Sequence, residues 1–506
     1  MSERQLTQPE QAGPTGPEHS TSHRASRAER PKASNGLILA IVCLGQFMVV
    51  LDVSIVNVAL PAIGRDLHYS STGLQWVVNG YVLTFAGFLL LGGRLADLFG
   101  QRKVFLGGLG LFSLASLLGG LAQNSGELTA ARALQGLGGA VLSPATLTII
   151  TTTFTEPRER TRAIGIWSSV AGAGGAFGAI AGGVLTTYLS WRWVLYVNVP
   201  IGALVALGAF VLLHEVRRPG ASHSLDVAGS LTGTGGLAVV VYAIVSTDTH
   251  PWGSARTLIT LAIGLALLAV FLLIQARFAK SPLMPLSLFR SRSLSGANVV
   301  MLLAGIVFFA MWYFQSLWMQ EVLGFGPLRT GLLFLPMTGS IIIASQLSSR
   351  LVSRFGARPV LMLGMLFTAA GFLWMGQLDA TSTYANGLLG GAVFTTFGVG
   401  LSFTPLAMSA TSGVPPHQAG LASGLLNTSR QVGGSIGLAA LATLATARTQ
   451  HLTLLGTSHG AALTSGYDRA FQVSAAIALV AVVVAALSIP SITRAPRVQP
   501  TASPGH

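Results

Sequence analysis

A chain of 506 residues in which 51% are hydrophobic and only 9% charged is not an ordinary soluble protein, where about 25% of residues carry charge; it reads as a polytopic membrane protein. Its single cysteine, Cys43, excludes a disulfide framework and a cysteine metal site. The formal charge of +14 does not indicate nucleic acid, because the basic residues lie in short loops between apolar runs, where they report orientation in a membrane.

In chain order, residues 1–35 are rich in Pro, Ser, Glu, Gln and Arg and are expected to form a disordered tail. An apolar run from Gly36 to Leu60 follows. It exceeds the roughly 20 residues that span a bilayer and is too long for the core of a signal peptide. Runs of spanning length recur near 74–96, 104–122, 130–152, 163–187, 193–214, 228–246, 257–276, 295–319, 330–349, 360–377, 386–409, 419–446 and 470–490, fourteen in all. Basic residues collect in alternate loops: Arg102 and Lys103; Arg158, Arg160 and Arg162; Arg217 and Arg218; Arg277, Lys280, Arg290 and Arg292; Arg350, Arg354 and Arg358. The positive-inside rule places these loops and both termini in the cytoplasm.

The stretch from Gly93 to Arg102 lines up with Ser349 to Arg358, with Arg-Leu, Phe-Gly and Arg at the same offsets. Such repeats are common in transporters. They divide the chain into an N-terminal six-helix bundle at 36–214, a connection with two extra spans at 215–292, a C-terminal six-helix bundle at 293–490 and a tail at 491–506.

Among the acids, Asp52 alone stands well inside an apolar run; Asp97, Asp226, Glu321 and Asp468 lie near run ends. A carboxylate at mid-membrane costs about 2.5 kcal/mol or more, so Asp52 is the candidate for binding a proton or a cation. The plainer alternative is a hydrogen-bonded structural carboxylate near the helix end, since Pro61 follows nine residues later. All ten histidines fall in tails, loops or span ends. Arg132, Gln135, Gly136 and Gly139 share one helical stripe. Arg132 is the best candidate partner of Asp52 and Gln135 a candidate cavity residue, the alternative being an Arg132 that snorkels to the outer interface.

Three further groups carry candidate roles. Gly93 permits close helix approach, Gly100 a tight turn, and Arg102 with Lys103 anchors the loop beside Asp97; a merely topogenic loop is the alternative. Gly174, Gly178 and Gly182, beside Gly175, Ala179 and Gly183, form small-residue stripes on which a second helix can pack. Trp312, Tyr313 and Gln315 are candidates for lining an apolar cavity, as are Asn427 and Arg430, which fall on one stripe with Gly434 and Gly437. Core or lipid-facing packing, and for Arg430 a cytoplasmic anchor, are the alternatives.

The pattern Gly-x-Leu-Ala-Asp-x-x-Gly-x-Arg-Lys at 93–103 resembles the signature loop of the major facilitator superfamily. Leu128-x-x-x-Arg132-x-x-Gln135-Gly136-x-Gly138 resembles a second motif of that family, and Gly174-x-x-x-Gly178-Ala179-x-x-Gly182-Gly183 its antiporter motif, with Ala179 where Pro is usual. Leu51–Pro61, Trp191-Arg192-Trp193 with Asn198-x-Pro200-Ile201-Gly202, and Gly420–Gly424 with Asn427, Arg430, Gln431 and Gly433 resemble the fourteen-helix drug:proton antiporter branch. The resemblance covers 36–490. It implies an all-α major facilitator fold of two six-helix bundles plus two linker helices, with Asp97 in a cytoplasmic gate and Arg132 in proton transfer. It also implies a monomer in the cytoplasmic membrane that exports drugs or antibiotics against proton entry by alternating access. The expected partners are a small molecule, protons and membrane lipid, with no nucleic acid, metal or cofactor. A proton-coupled importer is the rival, favoured by Ala179, and a non-transporting receptor is the third reading. A membrane enzyme would need clustered nucleophiles, metal ligands or an acid and base on one face, and the sequence offers none.

Overall fold

The long apolar runs become helices, and the polar punctuation between them supplies the caps. Asn124, Asp226, Ser254 and Ser291 each accept a backbone N–H at a helix start. The computed structural model describes residues 32–213, 215, 225–248, 250–379, 381–412, 414 and 419–490. Within them lie α1 (Lys32–Asp66), α2 (Trp76–Phe99), α3 (Gln101–Leu121), α4 (Ser125–Thr153), α5 (Pro157–Tyr188), α6 (Trp193–Tyr196) and α7 (Asn198–Leu212). Next come α8 (Val227–Val245), α9 (Ala255–Leu273), α10 (Arg292–Leu317), α11 (Pro327–Leu333), α12 (Leu335–Phe355), α13 (Ala357–Met375), α14 (Leu389–Thr411), α15 (Ala419–Leu454) and α16 (His459–Ser488).

Twelve segments are long and apolar enough to cross a membrane, α6 running into α7 and α11 into α12 as single crossings. Two more helices, α5 and α15, are long enough to cross at 32 and 36 residues but fall outside those twelve, so the described residues hold fourteen segments of spanning length. The first helix begins at Lys32, so the last residues of the expected 1–35 tail belong to it. The rest of that tail, the tail at 491–506, and Arg217 and Arg218 lie outside the described residues. Large apolar side chains such as Leu207, Phe210, Leu258 and Ile263 are exposed, which suits a molecule whose solvent is lipid. Only 11% of the apolar window of α9 is buried, so α9 is a peripheral helix.

Packing follows the repeat. In the first half α1 lies on α5 and α2 on α4; in the second α10 lies on α15 and α12 on α14, while α8 and α9 form a hairpin against α2 and α15. The repeated turns match at the backbone, because Gly100 and Gly356 both take a positive φ, 96° and 88°, open to glycine and strained for other residues. A second correspondence lies one residue before the repeat. Pro144 and Pro405 sit inside α4 and α14, and each lacks the N–H that would engage the carbonyl four residues earlier. Gly92 of α2 closes on one freed carbonyl, since a Cβ there would lie 2.1 Å from Ala140 O. Ser348 of α12 donates to the other, Leu401 O, at 2.7 Å.

The halves meet most intimately at the end of the bundle away from the basic loops, here called the remote end. Pro61 in α1 frees the carbonyl of Asn57, and Ser316 Oγ of α10 donates to it at 2.9 Å. Gln320 Nε2 donates to Val58 O at 3.0 Å. Leu328 N of α11 donates to Thr187 Oγ1 of α5 at 3.2 Å, and Gly331 is so close to Ala179 O that a Cβ would lie 2.3 Å away.

Candidate functional site

Asp52 is fully buried in α1 and is surrounded by donors from two other helices, α4 and α7. Its Oδ2 accepts from Arg132 Nη1 of α4 at 2.6 Å. Its Oδ1 accepts from Gln135 Nε2, also of α4, at 2.6 Å and from Asn198 Nδ2 at the start of α7 at 3.0 Å. Ser116 of α3 completes the ring, accepting from Gln135 at 2.6 Å and from Asn198 at 3.3 Å. Arg132 is equally constrained. Its Nε donates to Val77 O of α2 at 2.9 Å, Nη1 also reaches Gln135 Oε1 at 2.6 Å, and its Cζ lies 4.6 Å from the centre of the Tyr81 ring. A buried ion pair persists only where such hydrogen bonds satisfy both partners.

The ring stands on helices whose close approach the sequence dictates. The glycine stripe of α5 lies along the turns of α1 that flank Asp52. A Cβ at Gly174 would meet Val50 at 3.2 Å, one at Gly178 would meet Ser54 Cβ at 2.7 Å, and one at Gly182 would meet Ile55 O at 2.6 Å. Ser54 Oγ reinforces the contact by donating to Gly175 O at 2.5 Å. Gly183 faces the second half, with Pro327 O 2.7 Å from where its Cβ would be. The stripe therefore seats α5 between α1 and α11. At the remote end of α1, Asp66 accepts from Trp191 Nε1 at 2.8 Å and pairs with Arg192 at 3.2 Å.

The other expected residues lie elsewhere. Arg102 donates to Phe210 O near the end of α7 at 2.7 Å and covers the Phe210 ring. Gly100 has no space for a side chain because the Glu215 carboxylate fills it. Gly93 faces Pro144, a Cβ there lying 3.6 Å from its ring, and Lys103 is exposed. Asp97 is in α2, with its side chain outside the described residues. Trp312 is half-buried, its ring 4.9 Å from that of Phe334. Tyr313 and Gln315 are buried inside the second half, where Gln315 Nε2 donates to Met375 Sδ at 3.3 Å, rather than standing on an open cavity wall. Asn427 is exposed on α15. Arg430, one turn on, points into a narrow cleft with Met301, Phe308, Met365 and Phe403. Its Nε has no hydrogen-bond partner, and no carboxylate pairs with it among the described residues.

Ser116 and the Val77 carbonyl are contacts of this ring that the sequence reading did not single out, and Asn198 entered it only as part of the Asn198–Gly202 motif, with no role at the site. Asn198 carried a signal, being an amide within an apolar run beside Pro200. Ser116 carried none.

Comparison with known proteins adds to this geometry. The profile of the Major Facilitator Superfamily matches residues 42–438. The chain is 45% identical over 465 residues to the cephamycin export protein CmcT of Amycolatopsis lactamdurans, covering 91% of this chain and 93% of that protein. It is 40% identical over 464 residues to the puromycin resistance protein pur8 of Streptomyces alboniger, covering 90% and 92%. Among solved structures, the POT family transporter PepTSo superposes with a TM-score of 0.65 at 15% identity, covering 91% of this chain and 99% of that one. A bacterial homologue of the human lysosomal transporter Spinster, in an inward-facing and unoccupied conformation, superposes with a TM-score of 0.62 at 18% identity, covering 91% and 98%. Those two likenesses concern the fold alone.

Proposed function

The chain belongs to the major facilitator superfamily, and from that premise we propose that it exports antibiotic-like small amphipathic molecules across the cell membrane in exchange for protons. The export and resistance proteins it resembles support the direction and the cargo class. One observation carries the coupling mechanism: Asp52, buried, ion-paired with Arg132 of α4 and hydrogen-bonded at both carboxylate oxygens, stands on α1, the helix that latches the two halves at the remote end.

With the basic loops and both termini in the cytoplasm, the remote end faces outward, and the hydrogen bonds that join the halves there support reading this as the state that receives substrate from inside. The ion-paired carboxylate is its proton-free form. After the halves rock, Asp52 becomes accessible from outside and takes up a proton. Neutralising the carboxylate removes the counter-charge of Arg132 in a low-dielectric setting. The ring of donors then has no anion to organise it, and the protonated carrier returns to discharge the proton inside. Asp97, Arg102 and Lys103 belong to the cytoplasmic gate, and the Gly174–Gly178–Gly182 stripe transmits movement of α1 to α5 and so to α11. Trp312, Asn427 and Arg430 belong to the surface the cargo meets in the second half.

Everted membrane vesicles test the proposal. An acid interior drives uptake of a fluorescent drug for an exporter of this type, and nigericin abolishes it. Uptake that instead requires an alkaline interior identifies an importer and refutes the proposal.

A further inference from the structure

The Arg430 guanidinium stands inside the second half without a counter-charge. It lies eleven residues beyond the start of α15 at Ala419, roughly 16 Å along the helix and so near the middle of a hydrocarbon layer about 30 Å thick. Two close backbone approaches hold it there. A Cβ at Gly305 would lie 2.1 Å from Arg430 O, and one at Gly433 would lie 2.0 Å from Leu302 O, so α15 is seated directly on α10. Arg430 Nε is buried without a hydrogen-bond partner, and no carboxylate pairs with the guanidinium among the described residues. A charge at this depth is costly and marks a substrate or ion path. Arginine keeps its charge at any accessible pH, so Arg430 cannot be relieved by releasing a proton as a carboxylate is relieved by taking one up.

The walls of the cleft specify the rest of the ligand. Phe308 of α10 and Phe403 of α14 meet edge to face with ring centroids 6.3 Å apart, and Phe308 meets Trp312 at 6.4 Å. All three rings are only half-buried, and Met301 and Met365 extend the apolar surface towards Arg430. The other polar side chain in the lining, Ser402, spends its hydroxyl proton on Gly398 O at 2.8 Å. The lining contains no acid. We propose, resting on the export reading above, that this cleft is a cargo subsite selective for anionic amphipathic compounds, with the cargo's carboxylate on Arg430 and its apolar body against Phe308 and Phe403. A guanidinium matches a carboxylate with two parallel N–H donors. An amine would meet a like charge and no acid, and a neutral compound would leave the guanidinium unmatched. Asp52 does not compete for this cation, because its own ring of donors in the first half engages both of its oxygens.

Isothermal titration calorimetry of the full chain in phosphatidylcholine nanodiscs tests this with three probes that share one aromatic body: naphthylacetate, naphthylacetamide and naphthylethylamine. The wild type should bind the acid about tenfold tighter than the amide, equivalent to about 1.4 kcal/mol, and the amine more weakly than the amide. Arg430→Met should abolish the preference for the acid, Arg430→Lys should keep part of it, and Phe403→Ala should weaken the acid and the amide alike. Thermal unfolding of each variant verifies folding, and Arg430→Lys supplies the readout if Arg430→Met unfolds. Equal affinity of the wild type for acid and amide, no measurable binding of the acid, or an unchanged preference in folded Arg430→Met overturns the proposal. So does loss of naphthylacetate binding when phosphatidylglycerol replaces phosphatidylcholine, which would assign the guanidinium to a lipid phosphate. No gradient is applied in this measurement, so its failure leaves the export reading standing, whereas the vesicle experiment tests that reading without reference to Arg430.

Discussion

Breaking the buried pair one side at a time should cost far more than removing both charges together. Asp52→Asn removes the anion but leaves Arg132, 2% exposed and hydrogen-bonded to Val77 O and Gln135, as a guanidinium without a counter-charge. Arg132→Met leaves the Asp52 carboxylate with only Gln135 and Asn198 as donors. Truncating one partner of a buried pair destabilises by about 3–5 kcal/mol, whereas replacing the whole pair by packed neutral groups is often neutral or stabilising. Each single variant should therefore lose about 3–5 kcal/mol, and the Asp52→Asn/Arg132→Met double variant should recover most of it. A coupling energy of about 3 kcal/mol or more should remain in the cycle. Unfolding of the purified protein in mixed micelles, titrated with denaturing detergent, measures all four species under one condition. Single variants within about 1 kcal/mol of the wild type, or additive losses in the double variant, would refute a closed pair in the resting protein.

Other sites give smaller and more local effects. Gly178→Ala puts a methyl 2.7 Å from Ser54 Cβ and 2.9 Å from Leu51 O; overpacking of this kind costs about 1–3 kcal/mol, so lowered thermal stability and slowed export are expected, while Gly107→Ala, with nothing within 4 Å, should have no such effect. Ser316→Ala removes the donor to the Asn57 carbonyl. At about 0.5–1.5 kcal/mol for one hydrogen bond, it should favour opening of the remote end by roughly 2- to 12-fold, read from spin-label distances between α5 and α11. Arg430→Met should leave stability unchanged or raise it, because it removes a guanidinium that has no carboxylate partner; a loss above about 2 kcal/mol in detergent unfolding would show that Arg430 is paired after all.

The fold was legible because its physics is one-dimensional: a run long enough to cross lipid must be a helix, and basic loops fix the alternation. The lengths were underestimated where polar residues extend a helix beyond the apolar run, as at Lys32–Asn35 and through Arg448 to Leu454. Asp52 and Arg132 stood out because charges within apolar runs are rare, and the structure turns Arg132 inward where the sequence also allowed an interfacial side chain. Ser116 could not stand out, since a serine inside a helix has many uses. The latch was half visible: Pro61 marks a freed carbonyl, but nothing in the sequence reveals that Ser316 from the other half will fill it. Tyr313 and Gln315 show the opposite limit, because amphipathic residues suit a cavity wall and a packed interior equally well, and tertiary packing placed them in the interior.

The central claim, that Asp52 couples cargo movement to the proton, is tested most directly in proteoliposomes containing the purified Asp52→Asn variant. Export driven by a pH gradient should fall to the level of empty liposomes, whereas exchange of labelled for unlabelled cargo without a gradient should continue, because cargo contacts in the second half are untouched. Export by Asp52→Asn at the wild-type rate and with the wild-type dependence on the gradient would contradict the account.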